Sequence, residues 1–116
     1  MKLESTDKGR LRLNECMPII CTFFAVTPQE LLSKTRLRKV VNARHSLRYF
    51  MSFTGDLTLA EIGTLTNGDH SSVSHSIKMF NIFKDQETKF KEFNNYITRD
   101  KNYKSKMSLY KLDKQI

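Results

Sequence analysis

The sequence contains few of the residues that mark several protein classes. Of its 116 residues, 4 are glycine, 2 are proline and 2 are cysteine, which excludes collagen-like, linker-like and disulfide-scaffold proteins. The longest nearly apolar run covers residues 17–26, whereas a membrane-spanning helix needs about 20 apolar residues. The first fifteen residues lack the apolar stretch of a secretory signal. We therefore expect neither a membrane span nor secretion.

Cysteine and histidine spacing gives no metal or disulfide site. Cys16 and Cys21 are five residues apart on a predicted helix, so they lie on different faces and too far apart for a disulfide. No third cysteine is present to complete a metal cage. His70 and His75 are also five apart, which does not suit two ligands on one helix. We predict two buried, reduced cysteines and no metal.

The charge balance is strongly basic. Twenty Lys and Arg residues face twelve Asp and Glu residues, giving a formal net charge of +8. Hydrophobic residues make up 39% of the chain, which is enough for a modest core. An excess of positive charge predicts an acidic partner, most often nucleic acid or an anionic membrane surface.

Helix-start signals divide the chain. Thr27, Pro28 and Glu30 give an N-cap, a proline at the first helical position and an acid three residues after the cap. Thr58 and Glu61 form a second capping box, which opens a short helix. An apolar stripe at helical spacing lies between the two signals: Val40, Ala43, Leu47, Phe50 and Met51.

Further helices are predicted on either side of these signals. One covers residues 19–26, after a loose or partly helical lead-in, and the central helix is expected to end at residues 55–56. Asn67 and Gly68 predict a tight turn because both tolerate positive φ. Asp85 is expected to cap the final helix. Sustained alternation of period two is missing from the sequence, so we predict an all-α fold. The aromatic residues of its last two helices are expected to pack as core: Phe80, Phe83, Phe90 and Phe93.

Two short capped helices joined by a glycine-containing turn, residues 58–65 and 69–83, have the outline of a helix-turn-helix. The second has an apolar face and an opposite polar face. Short donors and acceptors at its start suit base edges in a major groove. Alternatively, Asp69 and Ser71 only cap the helix and His75 is a solvated surface residue. The candidate contact residues are Asp69, His70, Ser71, Ser72, His75 and Lys78.

A basic stretch without any acid covers residues 33–48. A solvated helix face normally mixes charges of both signs. Residues 34–39 fall on a predicted flexible loop, and an arginine on such a loop can enter an A·T-rich minor groove. Arg44 is expected to meet phosphate. The alternative is a generic basic surface. The candidate contacts are Lys34, Arg36, Arg38, Lys39, Arg44 and Arg48.

Three segments resemble the C-terminal DNA-binding domain of the bacterial replication initiator DnaA: residues 30–44 (ELLSKTRLRKVVNAR), 59–63 (LAEIG) and 69–73 (DHSSV). The resemblance covers about residues 19–97. It implies a compact multi-helix domain similar to the Trp repressor fold, which binds a short asymmetric DNA box as a monomer.

The resemblance also implies individual roles. Arg36 would be the minor-groove arginine, with Lys34 and Arg38 beside it, and Arg44 would contact the DNA backbone. Asp69, His70, Ser71 and Ser72 would read the major groove, with His75 on the same helix. The chain departs from the family at Gly68, where a basic residue is usual, and at Ser71 and Ser72, where threonine is common. We therefore expect a different preferred box and a lower affinity.

The predicted organisation is a lead-in at residues 1–17, the DnaA-like helix-turn-helix domain at 18–98 and a basic tail at 99–116. The sequence has no G-x-x-x-x-G-K-[ST] loop, so we expect no nucleotide cofactor. Ser71 and His75 lack an orienting acid, so we expect no enzyme activity. The resemblance favours a small regulator of replication initiation or transcription, of phage or mobile-element type, that binds double-stranded DNA in the bacterial cytoplasm in association with the nucleoid. The alternative is a small basic protein of phage or mobile-element type that acts by binding a host protein, such as a host replication protein.

Overall fold

The computed structural model describes residues 5–53 and 57–99, and within these ranges all regular elements are α-helices. The prediction of an all-α fold is confirmed. The expected helix end at residues 55–56 and the basic tail after residue 99 lie outside the described residues. In chain order the helices are α1 (Ser5–Phe24), α2 (Pro28–Leu32), α3 (Arg38–Phe53), α4 (Leu59–Leu65), α5 (His70–Phe83) and α6 (Thr88–Arg99).

Capping boxes begin α2 and α4, as the sequence predicts. The hydroxyl of Thr27 accepts a hydrogen bond from the Glu30 amide at 3.1 Å, and the Glu30 carboxylate accepts from the Thr27 amide at 2.9 Å. Thr58 and Glu61 repeat this arrangement at 3.1 and 2.7 Å. Each N-cap hydroxyl contributes about 1 kcal/mol to its helix, which matters because both helices are too short to form alone.

The first helix is longer than the sequence predicts. It begins at Ser5, inside the segment assigned to a lead-in, and crosses the predicted boundary after residue 17. Its buried positions recur at helical spacing, but charged residues between them mask the apolar pattern. Near its start the helix packs closely against α4, since a Cβ at Gly9 would lie 2.5 Å from Leu65 Cδ1. The buried stripe consists of Gly9, Leu13, Cys16, Ile20 and Phe24.

Two smaller expectations are corrected. The final helix starts at Thr88, so Asp85 is not its cap; the chain first makes a turn in which the Glu87 amide donates to the Phe83 carbonyl at 2.8 Å.

Cys16 is buried, but Cys21 is only half-buried, and partial burial together with Glu30 raises the pKa of its thiol. Neither cysteine forms a disulfide.

The core is built around α3, which contacts α1, α2, α4 and α5. Aromatic rings fill the space between α1, α3, α5 and α6. Phe93 packs edge-on against Phe50 at 5.6 Å and against Phe80 at 6.1 Å between ring centroids. The predicted aromatic core is therefore correct, with Phe80, Phe90 and Phe93 fully buried and Phe83 partly buried.

Nothing in the described part of the chain suggests a membrane span or a metal centre. Among residues 5–53 and 57–99, no helix combines the length and the apolar character that crossing a bilayer requires. Over the same ranges, no cluster of three or more His, Cys, Asp or Glu side chains is arranged to hold a metal ion.

The turn between α4 and α5 is tight because two glycines make room for close contacts. A Cβ at Gly63 would lie 2.6 Å from the carbonyl carbon of Asp69, so α4 approaches the start of α5 backbone to backbone. Asn67 has φ 63°, as expected for this turn. Gly68 is not in the left-handed region; its small size is needed because a Cβ there would lie 2.7 Å from Arg48 Nη2.

Replacing Gly63 by alanine should lower the free energy of unfolding by about 1–3 kcal/mol, because the added methyl group forces the α4 and α5 backbones apart. Urea denaturation followed by circular dichroism measures the change. Ser74→Ala, at an exposed position of α5, is the control and should retain or slightly raise stability. An unchanged midpoint for Gly63→Ala would contradict the close approach.

Candidate nucleic-acid interface

The start of α5 presents polar side chains to solvent. Asp69 is the N-cap: its Oδ1 accepts from the Ser72 amide at 2.8 Å and from the Ser72 hydroxyl at 3.0 Å. These bonds lower the pKa of Asp69, so the carboxylate is ionised at neutral pH. The capping role considered for Asp69 is therefore present. Asp69, His70 and Ser71 are nevertheless exposed, and Ser72 is half-buried.

The two faces of α5 divide as the spacing predicts. Ser71, His75 and Lys78 are exposed along one side of the helix. On the other side, Val73 and Phe80 are fully buried. The apolar side therefore fixes α5 to the core, and the polar side remains on the surface with its N-terminal end.

The loop before α3 is anchored, which corrects the expectation of a flexible loop. We call residues 33–37 the basic arm. The Arg44 guanidinium donates to the carbonyl of Ser33 at 2.7 Å, to that of Thr35 at 3.3 Å and to that of Leu31 at 3.1 Å. In addition, the side-chain amide of Asn67 donates to the Leu32 carbonyl at 3.0 Å. This bond ties the turn of the helix-turn-helix to the end of α2. Arg44 thus positions the arm, and its donors point to the protein backbone, whereas the sequence analysis expected them to meet phosphate.

Arg48 also lies inside the protein, with 7% of its surface exposed. Its Nε donates to the Thr66 hydroxyl at 3.0 Å and its Nη2 to the Thr66 carbonyl at 3.2 Å. Its Nη1 donates to the Ser76 hydroxyl at 3.1 Å. Burial and neighbouring Arg44 lower the pKa of Arg48, and Asp69 opposes this effect. The expected surface contact is therefore replaced by a bridge from α3 to the turn and to α5.

His45 is the member of this network that the sequence analysis missed. Its Nδ1 lies 2.9 Å from the Ser76 hydroxyl, and its ring meets the His75 ring edge-on at 5.6 Å. Burial, His75 and the guanidinium groups of Arg48 and Arg44 lower the pKa of His45 to about 4. At neutral pH the ring is uncharged, and it shares a hydrogen bond with the Ser76 hydroxyl, which accepts from Arg48. No apolar pattern indicates this residue, because it lies off the stripe of α3.

The basic arm and the start of α5 face each other across one open groove of about 760 Å³. Side chains from both predicted constellations line it, and of those that line it only Asp69 is acidic. The residues at its surface are Lys34, Arg36, Asn67, Asp69, Ser71, Ser72 and His75, with Arg44 and Arg48 behind them.

The remaining predicted residues, His70 among them, do not line this groove. His70 is exposed at the first position of α5. Lys39 is exposed at the start of α3, and Lys78 is exposed further along α5. Arg38 has a highly exposed side chain whose Nη1 lies 4.0 Å from the Glu87 carboxylate. Such an exposed pair contributes little to stability. These cations can extend the positive surface on either side of the groove.

Comparisons with known proteins find similarity over this region. Residues 14–79 match the family model described as "Bacterial dnaA protein helix-turn-helix". The chain is 32% identical over 90 residues to the chromosomal replication initiator protein DnaA of Bartonella quintana, covering 76% of this chain and 18% of that protein. The chain is also 32% identical over 73 residues to the protein of the same name in Brucella abortus, which covers 62% of this chain and 15% of that protein. With the DnaA protein of Nautilia profundicola the identity is 30% over 105 residues, which covers 90% of this chain and 23% of that protein.

The chain thus spans less than a quarter of the length of these relatives. No solved structure gives a significant match.

The buried histidine makes stability depend on pH. Because the pKa of His45 is about 4 in the folded chain and about 6.5 when unfolded, the unfolded chain binds more protons between these values. The contribution of His45 to the free energy of unfolding is therefore fully present above pH 6.5. The free energy of unfolding should fall by about 1–3 kcal/mol as the pH drops towards 4. Urea denaturation at pH 4.5 and pH 7.5 measures this loss.

The variant His45→Asn keeps an acceptor near Ser76 but does not titrate, so it should reduce the stability difference between the two pH values. Ser74→Ala should keep the dependence of the unaltered chain. If His45→Asn kept it as well, the assignment to His45 would be wrong.

Proposed function

This chain belongs to the bacterial DnaA helix-turn-helix family, and on that premise we propose that it binds specific sequences in double-stranded DNA. A helix-turn-helix is a DNA-binding element whose second helix enters the major groove. The observation that carries the proposal is the shared groove, in which the exposed start of α5 and the basic arm lie on the same face. An α5 docked in a major groove would therefore bring the arm to the neighbouring minor groove.

The start of α5 supplies the proposed sequence reading. His70 and Ser71 carry short exposed groups that can donate to or accept from base edges, and Asp69 can accept from a cytosine amino group. Ser72 donates its hydroxyl to Asp69 and so also fixes the carboxylate. His75 lines the same groove one turn further along. Contacts of this kind specify sequence, whereas phosphate contacts fix position and orientation.

The basic arm supplies the proposed minor-groove contact. Arg36 is exposed and lines the groove, and a narrow A·T-rich minor groove has an enhanced negative potential that attracts arginine. We assign phosphate contacts to the exposed cations Lys34, Arg38, Lys39 and Lys78. Arg44 and Arg48 act through the positions of the arm and of α5.

A biological role follows as part of the proposal. Binding to sites similar to DnaA boxes would regulate replication initiation or transcription, with the unit formed by α1–α6 as the DNA-binding domain. The relatives are named as chromosomal replication initiators.

A selection from random 20-bp duplexes tests the proposed function. We expect a preferred sequence containing an A·T-rich segment, with log K falling against log salt at a slope of about −4.5 for roughly five phosphate or minor-groove cations. A protein that acts by binding a host replication protein would select no sequence. Enrichment of no sequence above the starting pool would overturn the proposal.

Arg36→Ala should weaken binding mainly to duplexes with a narrow minor groove and should reduce the salt slope by about 1. Arg10→Ala removes the same charge from an exposed position on α1 and serves as the control. Fluorescence anisotropy titrations at four salt concentrations measure both effects. Equal affinities for the two variants on such duplexes would remove the arm from the proposed interface.

A further inference from the structure

Leu37 is a large apolar side chain on the surface at the end of the basic arm. It is 63% exposed, the highest value for a large hydrophobic residue in the described part of the chain. Arg36 and Arg38, on either side, are exposed as well. Single exposed leucines are common on protein surfaces. The position of Leu37 on the chain is therefore what distinguishes it.

Leu37 occupies the N-cap position of α3, where a leucine is disfavoured. The helix begins at Arg38, and the Val41 amide donates to the Leu37 carbonyl at 2.9 Å. Serine, threonine, aspartate and asparagine are preferred here because their side chains accept from free helix amides, and leucine ranks among the poorest choices. Neither burial nor helix capping therefore accounts for a leucine at this point.

The backbone that carries Leu37 is held in place from two sides. Its amide lies 3.4 Å from the Thr35 hydroxyl, and its carbonyl is fixed by α3. The Thr35 carbonyl is in turn held by Arg44. A side chain presented on such a pre-organised segment loses little conformational entropy on binding.

The surroundings of Leu37 favour a nucleic acid as the group that covers it. Arg36 lines the groove shared with α5, and Arg38 extends the positive charge beyond it. An apolar tip between two cations matches a minor groove, which has phosphates on both rims and apolar sugar walls. Leucines that enter a minor groove insert between base steps, partly unstack them and bend the duplex.

We propose that Leu37 is an apolar wedge that enters the minor groove beside Arg36, partly unstacks one base step and bends the DNA. This inference rests on the proposed function, since it requires the arm to lie in the minor groove. It gives the arm a second kind of selectivity, because flexible pyrimidine–purine steps unstack and bend more easily than others.

The test uses the full chain and the preferred duplex from the random selection. The duplex carries 2-aminopurine at successive positions of its A·T-rich segment, and a second version carries a donor and an acceptor dye at its ends. Binding should raise the 2-aminopurine fluorescence at one step and shorten the distance between the dyes. Leu37→Ser should lose both signals and bind about 5- to 10-fold more weakly, with an unchanged salt slope because no charge is removed.

Two variants control the comparison. Leu11→Ser makes the same substitution at a position of α1 that is 60% exposed, and it should behave as the unaltered chain. Leu37→Met keeps an apolar side chain at this position and should still bend the duplex. Serine is a better N-cap than leucine, so Leu37→Ser should keep or raise the thermal midpoint, which separates loss of contact from loss of fold.

The possible failures are distinct. A preferred duplex that stays stacked and straight in the complex would overturn the wedge and leave the proposed function intact. The same holds if Leu37→Ser binds and bends DNA as well as the unaltered chain does, or if its salt slope changes, since the arm would then have moved. Absence of any preferred duplex would instead overturn the proposed function.

Discussion

Two guanidinium groups one turn apart on α3 hold both halves of the groove. Arg44 fixes the basic arm through backbone carbonyls, and Arg48 fixes the turn and α5 through Thr66 and Ser76. Each group satisfies three hydrogen bonds, which offsets the desolvation of two neighbouring positive charges. The neutral ring of His45 completes the network, because a third charge there would be repelled by both. The exposed side chains of the groove depend on the half-buried Arg44 and on the buried Arg48 and His45 for their positions.

Gly68 is best understood together with this network. The resemblance to DnaA leads one to expect a basic side chain just before the Asp-His pair, yet the chain has a glycine there. A Cβ at this position would lie only 2.7 Å from Arg48 Nη2. The positive charge near the start of α5 thus comes from α3 beneath the turn. This placement lets it stabilise the turn but limits its reach to a ligand.

Local signals made much of the fold predictable, and long-range contacts account for the rest. The capping boxes at Thr27 and Thr58 and the exposed side of α5 follow from residues within a few positions of each other. The inward direction of Arg48 depends on partners 18 and 28 residues away, so its charge alone indicated a surface contact. The start of α1 was missed because charged residues interrupt its apolar stripe, and Asp85 was misassigned because a further turn precedes α6.

The hydrogen bond from Asn67 to the Leu32 carbonyl has a consequence for how DNA would be discriminated. It joins the helix-turn-helix turn to the segment that carries the arm, so the spacing between the two proposed DNA-contacting elements would be set before a duplex arrives. Under the proposed function, such a molecule would bind only where the offset between consecutive grooves matches this fixed spacing. A duplex that is over- or underwound would fail to fit both elements at once, even when every base is the preferred one.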